Sequence, residues 1–500
     1  MFLYQLARIA LATLLVFVGR VRADACDDVE STTAIAVARP LTLSYISEQN
    51  EYWSKACSML KPVCIVFPTT AEEVAAVVRI LGSHDHDFAV KSGGHSPNKY
   101  FASVEEGLLI SLSKIEHADL DRDTGILKAG PGNRLDGIAK KLDGTGWTFV
   151  GGRIGNTGIG GLILGGGLSY MSAQYGWSAS SVYEFQVVLA DGSIVTASEN
   201  EHTDLFHSLK GGGNNFAIVT SYTLQTYRQG DVWGGNLAFL RTSRTDQRLL
   251  QAVRDFTEYN DDDKAAVIVT AERGNIDLID SWILFLFYDG PDAPAHIFKN
   301  FTDIGPILNT CKRQSYSKLI GSSNWVIVPA SHVLMGTETM PIPSAADAPT
   351  VFSELHSFWR QVSSTTLLVS GIIASIAYQP FPRRIAQAAR ARGYDLIDAD
   401  PDADKLIIEI NYSFLPLTDY DKMSDVLERT YTGYRQRIQA WQEDGTLPKD
   451  VYLPLFMNYA NQRQDYWARL KPESRALAAD TAAEYDPDGL FRERTGGWKP

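Results

Sequence analysis

The segment from Gly151 to Gly167 constrains the fold of this chain more than any other. Nine of its seventeen residues are glycine, and each glycine inside a helix or strand costs about 0.5–1 kcal/mol because glycine loses the most backbone freedom on folding. A regular helix or strand therefore cannot run through the whole segment. We expect turns and close backbone contacts here, of the kind that let main-chain amides approach a ligand.

Two other glycine clusters share this arrangement. Gly93-Gly94 follows the apolar run Phe88–Val90, and Gly211–Gly213 precedes the apolar run Phe216–Tyr222; both runs are predicted strands. A single cluster would indicate a tight turn in a β-rich protein. Three clusters, each beside a strand, favour a long ligand held by backbone amides, because glycine places no Cβ between an amide and a phosphate.

His95 lies within the first of these loops, between Gly94 and Ser96. A histidine in a loop is usually only a polar residue, but here a nucleophilic imidazole lies within a predicted phosphate site. The loop therefore predicts a phosphate-bearing cofactor and offers a side chain for its covalent attachment.

The sequence does not match other common motifs for nucleotide binding, metal binding or a catalytic nucleophile. No Gly-Lys-Ser/Thr follows any glycine cluster, which excludes a P-loop, and Gly158–Gly161 does not open the βαβ unit of a dinucleotide fold. His84 and His86 would point to opposite faces of an extended strand, with no third ligand nearby, so no metal site is predicted. The chain contains neither His-Glu-x-x-His nor Gly-x-Ser-x-Gly.

The charge of the chain narrows its possible partners. A formal net charge of −13 over 500 residues repels phosphate backbones, so we expect no nucleic-acid partner. The chain is long enough for two domains.

The N-terminus is typical of a secretory signal peptide. Arg8 precedes the apolar run Ile9–Val18, and Val21-Arg22-Ala23 places small residues at a cleavage position, so we expect residues 1–23 to be removed. The alternative is a membrane anchor, but the run is short for a bilayer span. A secreted or lumenal protein without a membrane partner is therefore predicted, with glycosylation sequons at Asn300 and at Asn411, the second within a strand-like run.

A secretory route also makes a disulfide plausible. Among four cysteines, Cys26, Cys57 and Cys64 lie in the N-terminal region, whereas Cys311 is remote. An oxidising compartment favours a pair among the first three. Sequence leaves the connectivity open, and we expect the bond to involve Cys64.

The sequence pattern of the chain changes near residue 232. Before it, glycine clusters alternate with short strands and with a helix predicted from Thr70 to Leu81, where Thr70 and Glu73 form a capping box. After it, longer amphipathic stretches alternate with strand-like runs, which predicts a second α+β domain.

The chain resembles the FAD-linked oxidases of the vanillyl-alcohol oxidase, or berberine-bridge-enzyme-like, family. The resemblance runs from about Cys64 to Tyr227 and continues more weakly to the C-terminus. Its motifs occur in the order of the family, namely Cys64–Pro68, Ser92–Ser96, Gly158–Gly161 with Gly165–Gly167, Ala190–Gly192, Asp204–Phe206 with Gly211–Phe216, and Met457–Tyr459.

The resemblance implies an α+β fold with a two-lobed FAD-binding domain of the PCMH type over residues 24–231. A substrate domain of antiparallel sheet covered by helices follows over 232–450, and residues 451–500 return to the first domain. FAD would attach through its 8α-methyl group to His95, which raises its reduction potential. The cofactor-binding residues implied are Ser92, Gly93, Gly94, His95, Ser96, Asn156, Gly158, Gly160, Gly161, Gly165, Gly166, Ile218 and Asn458.

Two departures from the family alter what is expected. Bicovalent members carry a cysteine just before their glycine-rich run, at a position that falls near Ile154 in this chain, and no cysteine occurs from residue 65 to 310, so a single covalent link is predicted. The plant alkaloid enzymes carry a glutamate base where this chain has Ile376, which argues against berberine-bridge formation. The remaining candidates for the base are Tyr378, Tyr412 and Tyr459, with Tyr459 preferred, and Gln379 would orient the substrate.

The resemblance thus implies an oxidase that transfers a hydride from a small organic substrate to FAD and two electrons on to dioxygen, in secondary-metabolite biosynthesis. The alternative on the same scaffold is a carbohydrate oxidase. An alternative of another class is a secreted, non-catalytic binding glycoprotein, which would have no use for the glycine-histidine loop. The substrate, the choice between oxidase and dehydrogenase, and the oligomeric state stay open.

Overall fold

The computed structural model describes residues 24–500, so the predicted signal peptide lies outside the described residues. The first sheet has the strand order β1-β2-β4-β3, in which β2 and β3 run parallel to β4 and β1 runs antiparallel to β2. Its strands are β1 (Ala36–Ala38), β2 (Cys64–Phe67), β3 (Phe88–Lys91) and β4 (Leu108–Ser111), and its helices are α1 (Ala25–Thr32), α2 (Leu43–Asn50), α3 (Lys55–Ser58) and α4 (Ala71–Gly82).

A disulfide between Cys26 and Cys64 fastens α1 to β2. The predicted participation of Cys64 is confirmed, and the sequence could not choose between Cys26 and Cys57 because cysteine spacing alone does not determine connectivity. Cys57 and Cys311 are free.

Helix α4 begins as predicted, but its cap differs in one bond. The Thr70 hydroxyl accepts a hydrogen bond from the amide of Glu73. The carboxylate of Glu73 accepts bonds from the amide and the hydroxyl of Thr69 rather than from Thr70. The cap is therefore extended by one residue, and its carboxylate lies at the positive end of the helix.

The second sheet is antiparallel, with the order β5-β6-β10-β8-β9. The predicted hairpin around Asp191-Gly192 joins two of its strands. The elements of this region are β5 (Ala118–Asp121), β6 (Ile126–Ala129), β7 (Trp147–Thr148), β8 (Val182–Val188), β9 (Ile194–Ser198), β10 (Ile218–Gln225) and β11 (Tyr227–Arg228), with helices α5 (Leu135–Leu142), α6 (Ile159–Leu164), α7 (Ser172–Tyr175) and α8 (Thr203–Ser208).

The third sheet is the largest and has eight antiparallel strands, in the order β15-β12-β14-β13-β18-β19-β17 with β16 beside β12. They are β12 (Val232–Leu240), β13 (Ala265–Gly274), β14 (Ile279–Tyr288), β15 (Leu308–Asn309), β16 (Lys312–Gln314), β17 (His332–Pro341), β18 (Ile373–Phe381) and β19 (Lys405–Phe414). The helices of this region are α9 (Ser243–Tyr259), α10 (Lys299–Thr302), α11 (Tyr316–Gly321), α12 (Ala348–Ser364), α13 (Arg383–Arg390) and α14 (Tyr420–Asp444).

Helices α9, α12 and α14 cover one face of the third sheet. Leu249, Trp359 and Leu427 from these helices pack with the strand residues Ile376 and Ile410 in one apolar core. The opposite face of the sheet looks toward the first two sheets. The predicted fold class, α+β with an antiparallel sheet covered by helices, is confirmed.

The C-terminal segment carries α15 (Pro472–Tyr485) and α16 (Leu490–Arg494) and returns to the first sheet. The side chain of Asn98 donates to the carbonyl of Ala460 at 2.9 Å, and Arg494 donates to the carbonyl of Leu81 at 2.8 Å. The domain boundaries 24–231, 232–450 and 451–500 stay a proposal, which the start of the third sheet at β12 supports. No helix between residues 24 and 500 is long and apolar enough to cross a membrane.

Candidate active site

A cavity of about 550 Å³ lies between the glycine loops of the first two sheets and the uncovered face of the third. Its first wall comes from the loop Ser92–Ser96, the segment from Gly152 to Gly165, and residues Gly213–Val219. Its second wall comes from β13, β18 and β19. Segments that are far apart in sequence therefore meet around one space.

The glycine loops touch each other directly, and this contact explains why side chains are absent there. A Cβ on Gly93 would lie 2.5 Å from the Cα of Gly158, and a Cβ on Gly158 would lie 2.4 Å from the amide nitrogen of Gly93. The Ser92 hydroxyl donates to the carbonyl of Pro131 at 2.6 Å and accepts from the amide of Gly160 at 3.3 Å. Ser92 thus ties the loops together at the edge of the cavity.

His95 lines the cavity as a neutral imidazole. Its ring lies 4.6 Å from that of Trp53, and its Nε2 is buried without a hydrogen-bond partner among residues 24–500. Burial lowers the pKa of His95 to about 4, and the charge of Arg134 adds to the effect. At neutral pH the ring therefore keeps a free lone pair on one nitrogen and can act as a nucleophile.

Most of the predicted cofactor residues line this one cavity. They are Ser92, Gly93, Gly94, His95, Ser96, Gly158, Gly160, Gly161, Gly165, Ile218 and Asn458. A Cβ on Gly161 would have no other atom within 4 Å, so the backbone there borders open space.

Two predicted cofactor residues do not line the cavity. Gly166 adopts φ +97°, and a Cβ there would meet Ile397, so this glycine serves a turn packed on its far side. Asn156 lies behind the cavity wall, where its amide donates to Asn324 and its side chain raises the pKa of His95. Neither residue lines the cavity, and their roles in cofactor binding stay predictions.

Asn458 joins the C-terminal segment to the glycine-rich run. Its side-chain amide donates to the carbonyl of Gly161 at 3.0 Å, and its oxygen accepts from the amide of Gly167 at 3.0 Å. The turn Met457–Tyr459 is thereby held against the first wall, and Tyr459 is carried into the cavity.

The first wall offers a large cofactor both glycine backbone, whose amides can approach phosphates closely, and buried polar side-chain atoms. His95 and Asn215 line the cavity, and Nε2 of the first and the side-chain oxygen of the second are buried without hydrogen-bond partners in the described part of the chain. Buried polar atoms are normally satisfied, so these are available to a ligand. The residues present therefore fit FAD.

The alternation of side chains along the strands decides which residues of the second wall face the cavity. Ser375 and Ala377 of β18 and Glu409 and Asn411 of β19 face the cavity. Because side chains alternate between the two faces of a strand, their neighbours face the helices instead.

Tyr378 and Tyr412 belong to the face covered by helices. The Tyr378 hydroxyl lies 3.2 Å from Nδ1 of His356, and that of Tyr412 lies 3.2 Å from the hydroxyl of Thr430. Both tyrosines are fully buried in the core of the third sheet. The prediction that either could act as the base is therefore wrong.

Tyr459 reaches the cavity within a polar cluster. Arg153 donates a hydrogen bond to its hydroxyl, and the side chain of Gln379 lies 3.4 Å from the same oxygen. Gln379 also donates to the carboxylate of Glu409 at 2.8 Å. The structure thus brings the predicted pair Tyr459 and Gln379 together and adds Arg153 and Glu409.

The ionisation of this cluster is set mainly by burial. Burial raises the pKa of Tyr459 to about 12, although the charge of Arg153 opposes the rise. Burial also raises the pKa of Glu409, and Arg153, Gln379 and Tyr459 partly offset it. Tyr459 therefore stays protonated at neutral pH, whereas a tyrosine that acts alone as a base must be ionised. Glu409 is the stronger candidate for the group that accepts the proton.

Sequence reasoning missed the two carboxylates on the second wall, Glu272 and Glu409. Each lies in a strongly apolar strand, in the runs Val-Thr-Ala-Glu and Ile-Ile-Glu-Ile-Asn. A charged residue in such a strand is itself a signal, because it costs free energy unless a partner or a ligand compensates it.

The chain is similar to known flavin-dependent proteins. Residues 62–198 match a family described as FAD binding domain. An uncharacterized FAD-linked oxidoreductase of Arthroderma benhamiae is 39% identical over 93% of this chain and 92% of its own length. Carbohydrate oxidase from Microdochium nivale shares the fold with a TM-score of 0.73 at 21% identity, covering 93% of this chain and 96% of that chain. BBE-like 1 of Physcomitrella patens does so with a TM-score of 0.75 at 16% identity, covering 93% and 97%.

Proposed function

Because the chain belongs to the FAD-linked oxidoreductases of the vanillyl-alcohol oxidase and berberine-bridge-enzyme-like family, it is an enzyme, and we propose that it is an oxidase of a small organic substrate. The substrate loses a hydride from carbon and a proton from the adjacent O–H or N–H, and dioxygen takes up the two electrons to give hydrogen peroxide. The observation that carries this proposal is the meeting of the His95 loop and the Tyr459 cluster in one cavity.

FAD, when bound, supplies the hydride acceptor. We propose that the loops around Gly93 and Gly158 hold its phosphates and that His95 is its single point of covalent attachment. The neutral, unpartnered imidazole of His95 supports attachment, and a thiol for a second link is absent from the cavity lining formed by residues 24–500.

Tyr459 and Glu409 would together accept the substrate proton. Since Tyr459 stays protonated, its oxygen can accept a proton only as its own passes on to a neighbour. Gln379 lies between the two groups, since its side chain is 3.4 Å from the Tyr459 oxygen and donates to the Glu409 carboxylate at 2.8 Å. Arg153 would stabilise negative charge that develops on the phenol oxygen.

Purified protein tests this function directly. We expect flavin absorption bands, their anaerobic bleaching by at least one compound from a panel of alcohols, phenols, amines and oligosaccharides, and hydrogen peroxide when air is admitted. Protein that lacks flavin bands would instead support the non-catalytic binding glycoprotein. Bleaching without peroxide would identify a dehydrogenase.

The second candidate function is a carbohydrate oxidase. The shared fold with the Microdochium nivale enzyme and the polar residues Ser375 and Asn411 on the cavity wall favour it. Bleaching of the flavin by glucose or cello-oligosaccharides, and by no other class in the panel, would identify the protein as a carbohydrate oxidase.

We further propose that the protein is secreted and takes part in secondary-metabolite biosynthesis. The Cys26–Cys64 disulfide supports passage through an oxidising compartment. Of the two sequons, Asn300 is exposed on α10 and is the proposed glycosylation site. Asn411 lines the cavity inside the third sheet, where a glycan has no room.

A further inference from the structure

Glu272 is the second carboxylate of the cavity, and the Tyr459 cluster does not use it. It lies on β13 opposite Ser375 of β18, which in turn lies opposite Asn411 of β19. All three side chains line the cavity. They therefore form one row across the sheet, next to the row that carries Ala377 and Glu409.

No side chain of this row has a hydrogen-bond partner in the described part of the chain, and this distinguishes Glu272 from Glu409. Glu409 is bonded to Gln379 and feels the charge of Arg153. Burial alone raises the pKa of Glu272 to about 7, and no cation of the protein opposes the rise. The neighbouring Arg273 points to the other face, where it binds Asp277 and the carbonyl of Arg360.

The cavity consequently carries more negative than positive charge. Its charged lining residues between positions 24 and 500 are Arg153, Glu272 and Glu409, and the arginine is already engaged with Tyr459 beside Glu409. Keeping an unpaired carboxylate in a largely apolar cavity costs free energy. A cationic ligand would remove this cost by pairing with the carboxylate.

We propose that Glu272 is a specificity residue that binds a protonated amine of the substrate, with Ser375 and Asn411 as adjoining hydrogen-bond partners. The inference rests on the proposed function, since it assigns the substrate class of the same cavity. The amine would be a recognition group, separate from the bond that is oxidised beside Tyr459.

The sheet geometry limits where this amine can lie. Glu272 and Glu409 are two strands apart, and their rows are two residues apart along the strands. With strands about 4.8 Å apart and residues about 3.3 Å apart along a strand, their Cα atoms are separated by about 12 Å. The substrate therefore needs several bonds between its amine and the carbon that loses hydride.

Ligand binding to the flavin-loaded enzyme tests the proposal. The probes are pairs of one shape that differ only in the charged group: benzylamine and benzyl alcohol, 2-phenylethylamine and 2-phenylethanol, tryptamine and tryptophol, hexylamine and hexanol. Dissociation constants are measured by calorimetry and by the change in the flavin spectrum, near pH 8, where these amines are protonated and a carboxyl with a pKa of about 7 is mostly ionised.

We expect at least one amine to bind about 10-fold or more tightly than its alcohol, the size of a charge-assisted hydrogen bond. Glu272→Gln, which keeps the shape, should abolish the preference, and Glu272→Asp should retain part of it. Thr270→Val is the matched control, because Thr270 lines the same cavity two residues earlier on β13 without a charge, and it should keep the preference.

Equal binding of amine and alcohol in every pair, or a preference that survives Glu272→Gln, overturns the proposal. So does the absence of binding by every amine. Flavin content and the melting temperature of each variant show whether it is folded and loaded. An enzyme that binds flavin and is bleached by an uncharged compound, yet shows no amine preference, overturns this inference alone, whereas an enzyme without flavin overturns the proposed function.

Discussion

Arg153 donates a hydrogen bond to the hydroxyl of Tyr459, so a positive charge from the glycine-rich segment touches the phenol that the C-terminal turn brings into the cavity. The two residues are 306 positions apart. Their contact joins the proposed cofactor wall to the proposed proton acceptor, and several tests follow from it.

Replacing Tyr459 by Phe keeps the ring and removes the hydroxyl that Arg153 and Gln379 surround. Loss of proton transfer should slow anaerobic flavin reduction by on the order of 10²-fold or more. The flavin spectrum and the melting temperature should change little. Stopped-flow bleaching measures the rate, and a variant as fast as the wild type would leave Glu409 to act without the phenol.

Replacing Glu409 by Gln removes the charge and keeps the amide near Gln379. We expect flavin reduction to slow by about 10²-fold or more. In the wild type the active carboxylate exists above its pKa, which burial raises, so the rate should fall as pH is lowered through a value above the ordinary glutamate pKa of about 4.3. The variant should not show this fall in rate at low pH. If Glu409→Gln shows the same fall at the same pH, the titrating group is not Glu409.

Replacing His95 by Ala tests the covalent link. Because the glycine loops remain, FAD should still bind, but acid precipitation should release it into the supernatant, whereas the wild type should keep it in the pellet. Peptide mapping of the wild type should find one flavin-modified residue. Intact flavin in the wild-type supernatant would contradict covalent attachment, and a second modified residue would contradict a single link.

Replacing Cys26 by Ser opens the loop of 38 residues that the disulfide closes. We expect the free energy of unfolding to fall by about 2–4 kcal/mol, since the cross-link restricts the unfolded chain. Cys311→Ser, a change at a free cysteine, is the control and should have little effect. Denaturant unfolding measures both, and equal stability of the two variants would show that the disulfide adds nothing.

Local patterns predicted the parts of the site that depend on neighbouring residues in the chain. The glycine clusters, the loop around His95, the cap at Thr70 and the hairpin at Asp191-Gly192 are such parts. Each follows from backbone freedom or from hydrogen bonds over a few residues, and the structure shows the turns, the cap and the hairpin where the sequence predicts them.

The sequence by itself thus determined the family, the α+β fold and the cavity position of the loop around His95, because these depend on motifs that are local and ordered along the chain. Only the tertiary structure decided which strand face meets the cavity. Alternation puts Tyr378 and Gln379 on opposite faces of β18, but it does not say which face the helices cover. Packing of α9, α12 and α14 buries Tyr378 and Tyr412 and leaves Glu272 and Glu409 toward the cavity, since long-range burial selects the face.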